Sequence, residues 1–254
     1  MDDKSTESTP SAEGKDVGLL FLANFVHQVV NPISGVIGNL DNVVDNTYQG
    51  EKAKQVINAS RAQLVQCVSL IRNLAYLSDF FFETSEKDEL RAARESATSI
   101  LPQIIIEAIQ FFQSSAGRKN IKLELNNPSE QYRISARPEL LRQIFINLFD
   151  NWIKYGLPNQ TVEINVSANS KKDLCIELVG KSIGFSNNDA ENIFKMGFRS
   201  REAHNKVAQG SGIGLFICRK ITEEILEGGI TASHATKTQR TTFRIAIPKK
   251  LWQL

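Results

Sequence analysis

Cysteine is scarce in this chain. Cys67, Cys175 and Cys218 are odd in number and far apart among 254 residues. Such spacing excludes a disulfide framework and predicts buried thiols in a reducing, cytoplasmic compartment. Net charge is almost absent as well: 30 Lys and Arg against 28 Asp and Glu leave +2 at pH 7. That balance argues against a broad nucleic-acid surface. Long hydrophobic runs are missing. The longest near the start, "VGLLFLANFV", is too short to cross a bilayer and contains Asn24, so no membrane span is expected. The opening "MDDKSTESTPSAEGKD" is polar and acidic, unlike a secretory signal, and reads as a disordered leader over residues 1–16. Of three histidines, His204 and His234 have no Cys or carboxylate nearby at metal-ligand spacing and read as ordinary surface or strand residues.

What is present is the composition of a soluble protein, 41% hydrophobic and 23% charged, long enough for one large or two modest domains. Two periodicities divide it. In residues 17–48, Val26, Ile33 and Leu40 fall seven apart, as do Leu22, Val29, Val36 and Val43. Interleaved, they make the 4-and-3 spacing of a helical seam, and Ala23, Val30, Ile37 and Val44 add a third stripe. Residues 51–82 carry a second stripe through Ile57, Leu64, Cys67, Val68, Ile71 and Leu74. The link "NTYQG" suits an antiparallel hairpin, with a kink expected at Pro32. Three apolar positions per heptad is the width of a four-helix-bundle face, so a homodimer of hairpins is the simplest assembly. The hairpin domain is read as 17–85 and the charged linker as 86–96.

From residue 97 to 254 the pattern changes. "SILPQIIIEAIQFFQSSAGRKN", "RPELLRQIFINLFDNWIKYGL" and "GSGIGLFICRKITEEILEGG" read as helices. "IKLELNN", "YRISA", "TVEINVSAN", "DLCIELVGKS", "ITASHAT" and "TTFRIAIP" read as strands, mostly antiparallel. Uneven alternation of helices and strands makes this half α+β. Its second helix sets Asn147, Asn151 and Tyr155 on one face at four-residue steps, beside Lys154. Either this is a polar face in solvent, or the amides serve a ligand: an Asn oxygen suits hydrated magnesium, a Lys suits phosphate. Gly210, Gly212 and Gly214 of "GSGIGL" precede a helix, and such a turn brings backbone N–H groups to phosphate oxygens. A plain helix-entry turn has the same composition.

The order of these pieces resembles the transmitter region of two-component sensor histidine kinases, over about residues 17–250. "FVHQVVNPISGVIGNLD" resembles the phosphoacceptor box, "NLFDNWIKY" the asparagine box, "IFKMGFRS" the segment before the mobile lid, and "GSGIGLFICRKI" the second glycine box. The resemblance implies a dimerising phosphotransfer hairpin followed by an α/β-sandwich domain of the Hsp90-like ATPase fold. It implies ATP and magnesium as cofactors, with magnesium at Asn151, and Asn147, Lys154, Tyr155 and the glycines Gly184, Gly210, Gly212 and Gly214 around the nucleotide. It implies His27 as phosphoacceptor and a response-regulator receiver domain as partner. Asn31, four residues after His27, matches a polar position linked in the family to phosphatase chemistry.

Three departures bear on the chemistry. Gln28 stands where the family has a Glu or Asp that helps remove the imidazole proton; Gln accepts no proton at neutral pH. Losing a positioned base costs ~10²–10⁴ in rate. Gly180, aligned through Gly184, replaces the Asp that accepts from the adenine amino group, and Ser182 replaces the next glycine. The lost charged acceptor is worth about 1.5–3 kcal/mol, roughly tenfold to more than hundredfold in affinity. Trp152 follows Asn151 where the family carries a small residue; it either packs in the core or occupies space that adenine needs. The terminal "RTTF" also has Arg240 in place of a glycine. Three readings stay open: phosphoryl exchange on His27 with a regulator and a weak or lost autokinase; a working ATP-dependent kinase; or a pseudokinase that only binds partners. Since no sensor domain follows the leader, the input is expected through another sensor subunit or a part outside this chain.

Overall fold

A computed structural model describes residues 12–82, 97–206 and 211–254. The start of the leader, the linker and Gly210 lie outside the described residues, as do the side chains of His27 and Gln28. The chain divides into two units, Met1–Tyr76 and Leu77–Leu254.

The first unit is the hairpin. Helix α1, Ala12–Val44, begins inside the segment read as leader and ends before residue 48. Its end is set by Asn46, whose φ of 57° is the left-handed turn that Asn tolerates better than most residues. Helix α2, Gly50–Phe82, returns. α1 continues through Pro32, which is buried. Val36 and Cys67 are the buried apolar anchors, Ser60 is buried with them, and the Cys67 thiol donates to the Val29 carbonyl at 3.8 Å. Val29, Ile33 and Val43 are half-buried, while Val26, Val30, Ile37, Leu40 and Val44 on α1, and Ile57, Leu64, Val68 and Ile71 on α2, are exposed. One hairpin therefore uses only part of its apolar surface.

The second unit is the α+β domain. Strand β1, Thr98–Ile100, precedes helix α3, Leu101–Gly117. The sequence reading started this helix at Ser99. Instead Pro102 fixes its first turn, and residues 98–100 pair with β3, Arg133–Ser135. β2, Ile121–Leu125, helix α4, Pro138–Tyr155, β4, Gln160–Ala168, and β5, Leu174–Lys181, follow. After the short helix α5, Arg201–Lys206, come α6, Gly214–Lys220, β6, Gly229–Ala235, and β7, Arg240–Ile247.

The main sheet has the order β2-β4-β5-β7-β6; β2 and β4 are parallel and the other pairs antiparallel. Period-two burial follows the sequence. Val162, Ile164 and Val166 of β4, Leu174, Ile176 and Leu178 of β5, and Phe243, Ile245 and Ile247 of β7 are all buried. α3, α4 and α6 cover that face with Ile105, Ile144, Leu148, Phe149 and Ile217. Two features escaped the sequence reading. The last helix widens into a π-helical turn at Ile221–Ile225, where the Thr222 hydroxyl donates to the Cys218 and Arg219 carbonyls. A terminal strand β8, Trp252–Gln253, joins β1 and β3 in a small sheet, pinned by the Trp252 indole N–H on the Lys172 carbonyl at 3.2 Å. No helix among the described residues is long and apolar enough to cross a membrane.

Candidate functional site

On the hairpin, His27 and Gln28 lie within α1, and Asn31 is exposed one turn further along the same helix face.

In the second domain, α4 carries the asparagines. Pro138 at its first turn and the apolar run Leu140, Leu141, Ile144, Leu148 fix its register against the sheet, so Asn147 points inward. Asn147 is buried, its Oδ1 accepts from Gln143 Nε2 at 3.2 Å, and its amide nitrogen has no hydrogen-bond partner among the described residues. Gly214 sits against it: a Cβ there would lie 3.3 Å from Asn147 Oδ1. Behind it Cys218 is fully buried, and burial pushes its thiol far above the ordinary range, with the Asn147 amide a smaller opposing influence. Asn151 and Tyr155 are half-buried on the same side. Lys154 is already engaged: its ammonium pairs with Asp150 at 2.6 Å, within one helical turn. Gly212 has φ of 67° and touches the Gly197–Phe198 backbone, and Gly197 N–H donates to the Gly212 carbonyl at 3.1 Å. The second glycine segment and the segment before α5 are thus held together by close backbone packing that only glycine allows. Among the described residues no group of three His, Cys, Asp or Glu is placed to hold a metal. A magnesium ion at Asn151 would therefore meet an amide rather than a carboxylate cage.

The end of β5 differs from what the resemblance implies. Gly180 stands opposite Thr241 on β7, and Thr241 stands opposite His234 on β6, so the three form one cross-strand row on the buried side of the sheet. A Cβ on Gly180 would lie 3.0 Å from Gln160 Oε1 and 3.1 Å from both Trp152 Cζ3 and Val162 Cγ2. Trp152 is 2% exposed, stacks edge-on against Phe243 at 6.1 Å, and its indole N–H has no acceptor among the described residues. Gln160 spends its amide on the backbone. Its Nε2 donates to the Leu157 carbonyl at 2.7 Å and the Lys181 carbonyl at 2.5 Å, and its Oε1 accepts from Lys181 N–H at 2.5 Å. Thr241 Oγ1 shares hydrogen bonds with Ser182 Oγ at 2.7 Å and His234 Nδ1 at 2.8 Å, and Ser182 Oγ accepts from Gly184 N–H at 2.9 Å. Burial keeps His234 below its usual pKa and hence neutral near pH 7. Gly184, at φ 73°, lies under the His234 ring; any side chain there would collide with it. His234, read from sequence as an ordinary strand residue, is part of this cluster. Its register opposite Thr241 across the "TKTQ" turn was the available signal; Gln160 gave none. Gly180 offers no carboxylate for an adenine amino group, and a Cβ there would press on Gln160, Trp152 and Val162.

This combination of helical hairpin and α/β domain with a buried asparagine helix is a histidine-kinase-like transmitter architecture. Residues 136–251 match the family described as Histidine kinase-, DNA gyrase B-, and HSP90-like ATPase, a fold that generally binds ATP and magnesium. The chain is 28% identical over 232 residues to sensor protein KdpD of Clostridium acetobutylicum, covering 91% of this chain and only 24% of that protein. The histidine kinase AdeS of Acinetobacter baumannii superposes over 88% of this chain and 98% of its own, with a TM-score of 0.61 at 18% identity. Histidine kinase ThkA, solved in complex with the response regulator protein TrrA, superposes over 92% of this chain and 63% of its own, with a TM-score of 0.61 at 21% identity. The likeness in fold covers most of the chain, which spans about a quarter of the length of KdpD.

Proposed function

We propose that this protein is a histidine-kinase-like signalling protein that carries phosphoryl groups on His27 and exchanges them with a response-regulator aspartate. On this reading its ATP-dependent autokinase is weak or lost. Two hairpins associate through the uncovered stripes into a four-helix bundle, which presents His27 and Asn31 on its outer flank. The observation that carries the reading is Gly180: the position that should accept from adenine has no side chain and is walled by Trp152, Gln160 and Val162. Gln28 weakens the same reaction from the other side, because an amide takes no proton from the attacking imidazole.

Exchange with an aspartyl phosphate asks less of the protein. The lone-pair nitrogen of the neutral imidazole attacks the phosphorus of a reactive mixed anhydride, the P–O bond to the aspartyl carboxylate breaks, the carboxylate leaves without needing protonation, and the other ring nitrogen then releases its proton to solvent. Asn31 is placed to orient water or phosphoryl oxygens in the docked complex. A ThkA-like pairing with a receiver domain supports the choice of partner. The experiment is labelling with radioactive phosphate from two donors, ATP and a phosphorylated receiver domain. Label should reach His27 from the receiver and be lost in His27→Ala. Efficient labelling from ATP alone would replace this reading with that of an active kinase.

A further inference from the structure

We propose that the purine end of the nucleotide site is filled by the chain itself: the Trp152 indole lies where adenine would be held, locked in place by Gly180. The inference rests on the ATPase-fold reading of the second domain and is independent of His27, so failure here and failure of the phosphoryl-exchange reading are separately visible.

The first support is reciprocal size. Compared with the pattern that the sequence resembles, bulk has moved across one contact: the acid on β5 has become Gly180, and the small residue on α4 has become Trp152. The two meet, since a Cβ on Gly180 would stand 3.1 Å from Trp152 Cζ3. A side chain at 180 would require the indole at 152 to give by a few tenths of an ångström, whereas glycine and indole pack closely without adjustment. The second support is polar closure. Gln160 binds the Lys181 and Leu157 backbone, and Ser182, Thr241 and His234 bind one another and Gly184 N–H. The polar side chains flanking Gly180 on β5 and β7 are committed to the protein rather than held open for a base. The third is the orphaned indole N–H of Trp152. A buried donor left unpaired costs stability, so the ring is present for its bulk, and a phenyl ring would serve as well.

Consequently this domain keeps its shape without nucleotide and does not select adenine over guanine. The test uses the full chain. Only two tryptophans are present, so Trp252→Phe leaves Trp152 as a single reporter. Its emission should be blue-shifted, shielded from iodide, and unchanged by millimolar Mg-ATP, and ATP should not raise the melting temperature. Gly180→Asp combined with Trp152→Ala should gain ATP-dependent stabilisation at least about tenfold stronger in affinity than the parent and absent with GTP. Trp152→Phe, which keeps the bulk, should fold and remain blind to ATP. Trp152→Ala alone opens an apolar cavity, and added indole should raise its melting temperature. Quenching of Trp152 by Mg-ATP in the parent, with ATP preferred over GTP, overturns the proposal whether or not the alanine variants fold. So does a Trp152→Ala variant that is as stable as the parent and indifferent to indole.

Discussion

Leu64 offers a quantitative test of assembly. It is the centre of the heptad Ile57, Leu64, Ile71 on α2, and it keeps 43% of its surface exposed in one hairpin. If that face is covered by a second copy, association removes this share of its apolar surface from water. Full burial of a leucine is worth about 1.5–3 kcal/mol, so each copy gains roughly 0.6–1.3 kcal/mol. A twofold interface carries every substitution twice, which doubles the effect to about 1.3–2.6 kcal/mol per dimer. Leu64→Ala should therefore raise the dimer dissociation constant roughly tenfold to eightyfold. Leu64→Asp should go further, because a desolvated carboxylate has no partner in an apolar seam. Sedimentation over a concentration series reads the constant directly. Circular dichroism checks that helix content is retained at concentrations where both proteins are assembled. A wild-type chain that stays at 28.4 kDa at high micromolar concentration would refute the bundle. An unchanged dissociation constant in Leu64→Ala would refute this face as its seam.

Three other outcomes follow from the same structure. Gln28→Glu should raise labelling of His27 from ATP if nucleotide binds at all, and should change transfer from a phosphorylated receiver much less; labelled-phosphate assays separate the two. Val29→Asp places an acid beside the backbone carbonyl that receives the Cys67 thiol and should lower the melting temperature of the hairpin, read by circular dichroism on the full chain. Tyr132 is buried, and burial together with the Glu130 carboxylate that accepts from its hydroxyl pushes its pKa up to about 12. The unfolded value is about 10, so the stabilisation is whole below pH 10 and is lost as pH rises through 12. Tyr132→Phe should flatten the alkaline fall in denaturant midpoint across that window.

Much of the architecture was legible because it depends on local pattern. Heptads marked the hairpin, period-two alternation marked β4, β5 and β7, and Pro138 marked the entry of α4. What failed depends on non-local partners. Residues 98–100 became a strand because Arg133–Ser135 lies beside them, and no local propensity announces that. β8 is two residues long and exists through its pairing with β3 and the anchor of Trp252. At the site, helical spacing set Asn147, Asn151 and Tyr155 on one face but left open whether that face met solvent; the structure buries Asn147. Trp152 was left between a core role and an adenine-blocking role, and the structure shows why the two were hard to separate: it packs on Phe243 like a core residue while facing the empty side-chain space of Gly180. The His234–Thr241–Gly180 row needed the register of three strands together. Gly212 and Gly214 illustrate the opposite danger. Their retention suggests phosphate binding from sequence, yet each also has a packing reason, against Gly197–Phe198 and Asn147 respectively.

The departures at Gln28 and Gly180 lie in different units and oppose different parts of one reaction. Gln28 withdraws proton acceptance during attack, a factor of ~10²–10⁴ in rate. Gly180 withdraws an acceptor from the purine, a factor of roughly ten to more than a hundred in affinity. Losses that act independently add in free energy and so multiply in rate. On the proposed reading, ATP-driven phosphorylation at subsaturating nucleotide is depressed by about 10³–10⁶ or more, and repairing one site recovers only that site's share. On the same reading, phosphoryl exchange with an aspartyl phosphate needs no purine pocket and leans less on a base at position 28, because the donor brings its own good leaving group. The two substitutions therefore do not erode the protein uniformly. On the proposed reading they weaken supply to His27 from ATP more than its exchange with a regulator. Restoring Gln28→Glu together with Gly180→Asp and Trp152→Ala should raise ATP labelling by close to the product of the separate gains, measured under subsaturating ATP. Labelling from a phosphorylated receiver should change by far less. A triple variant with ATP labelling no better than its better parent would mean that the two losses act on one shared barrier.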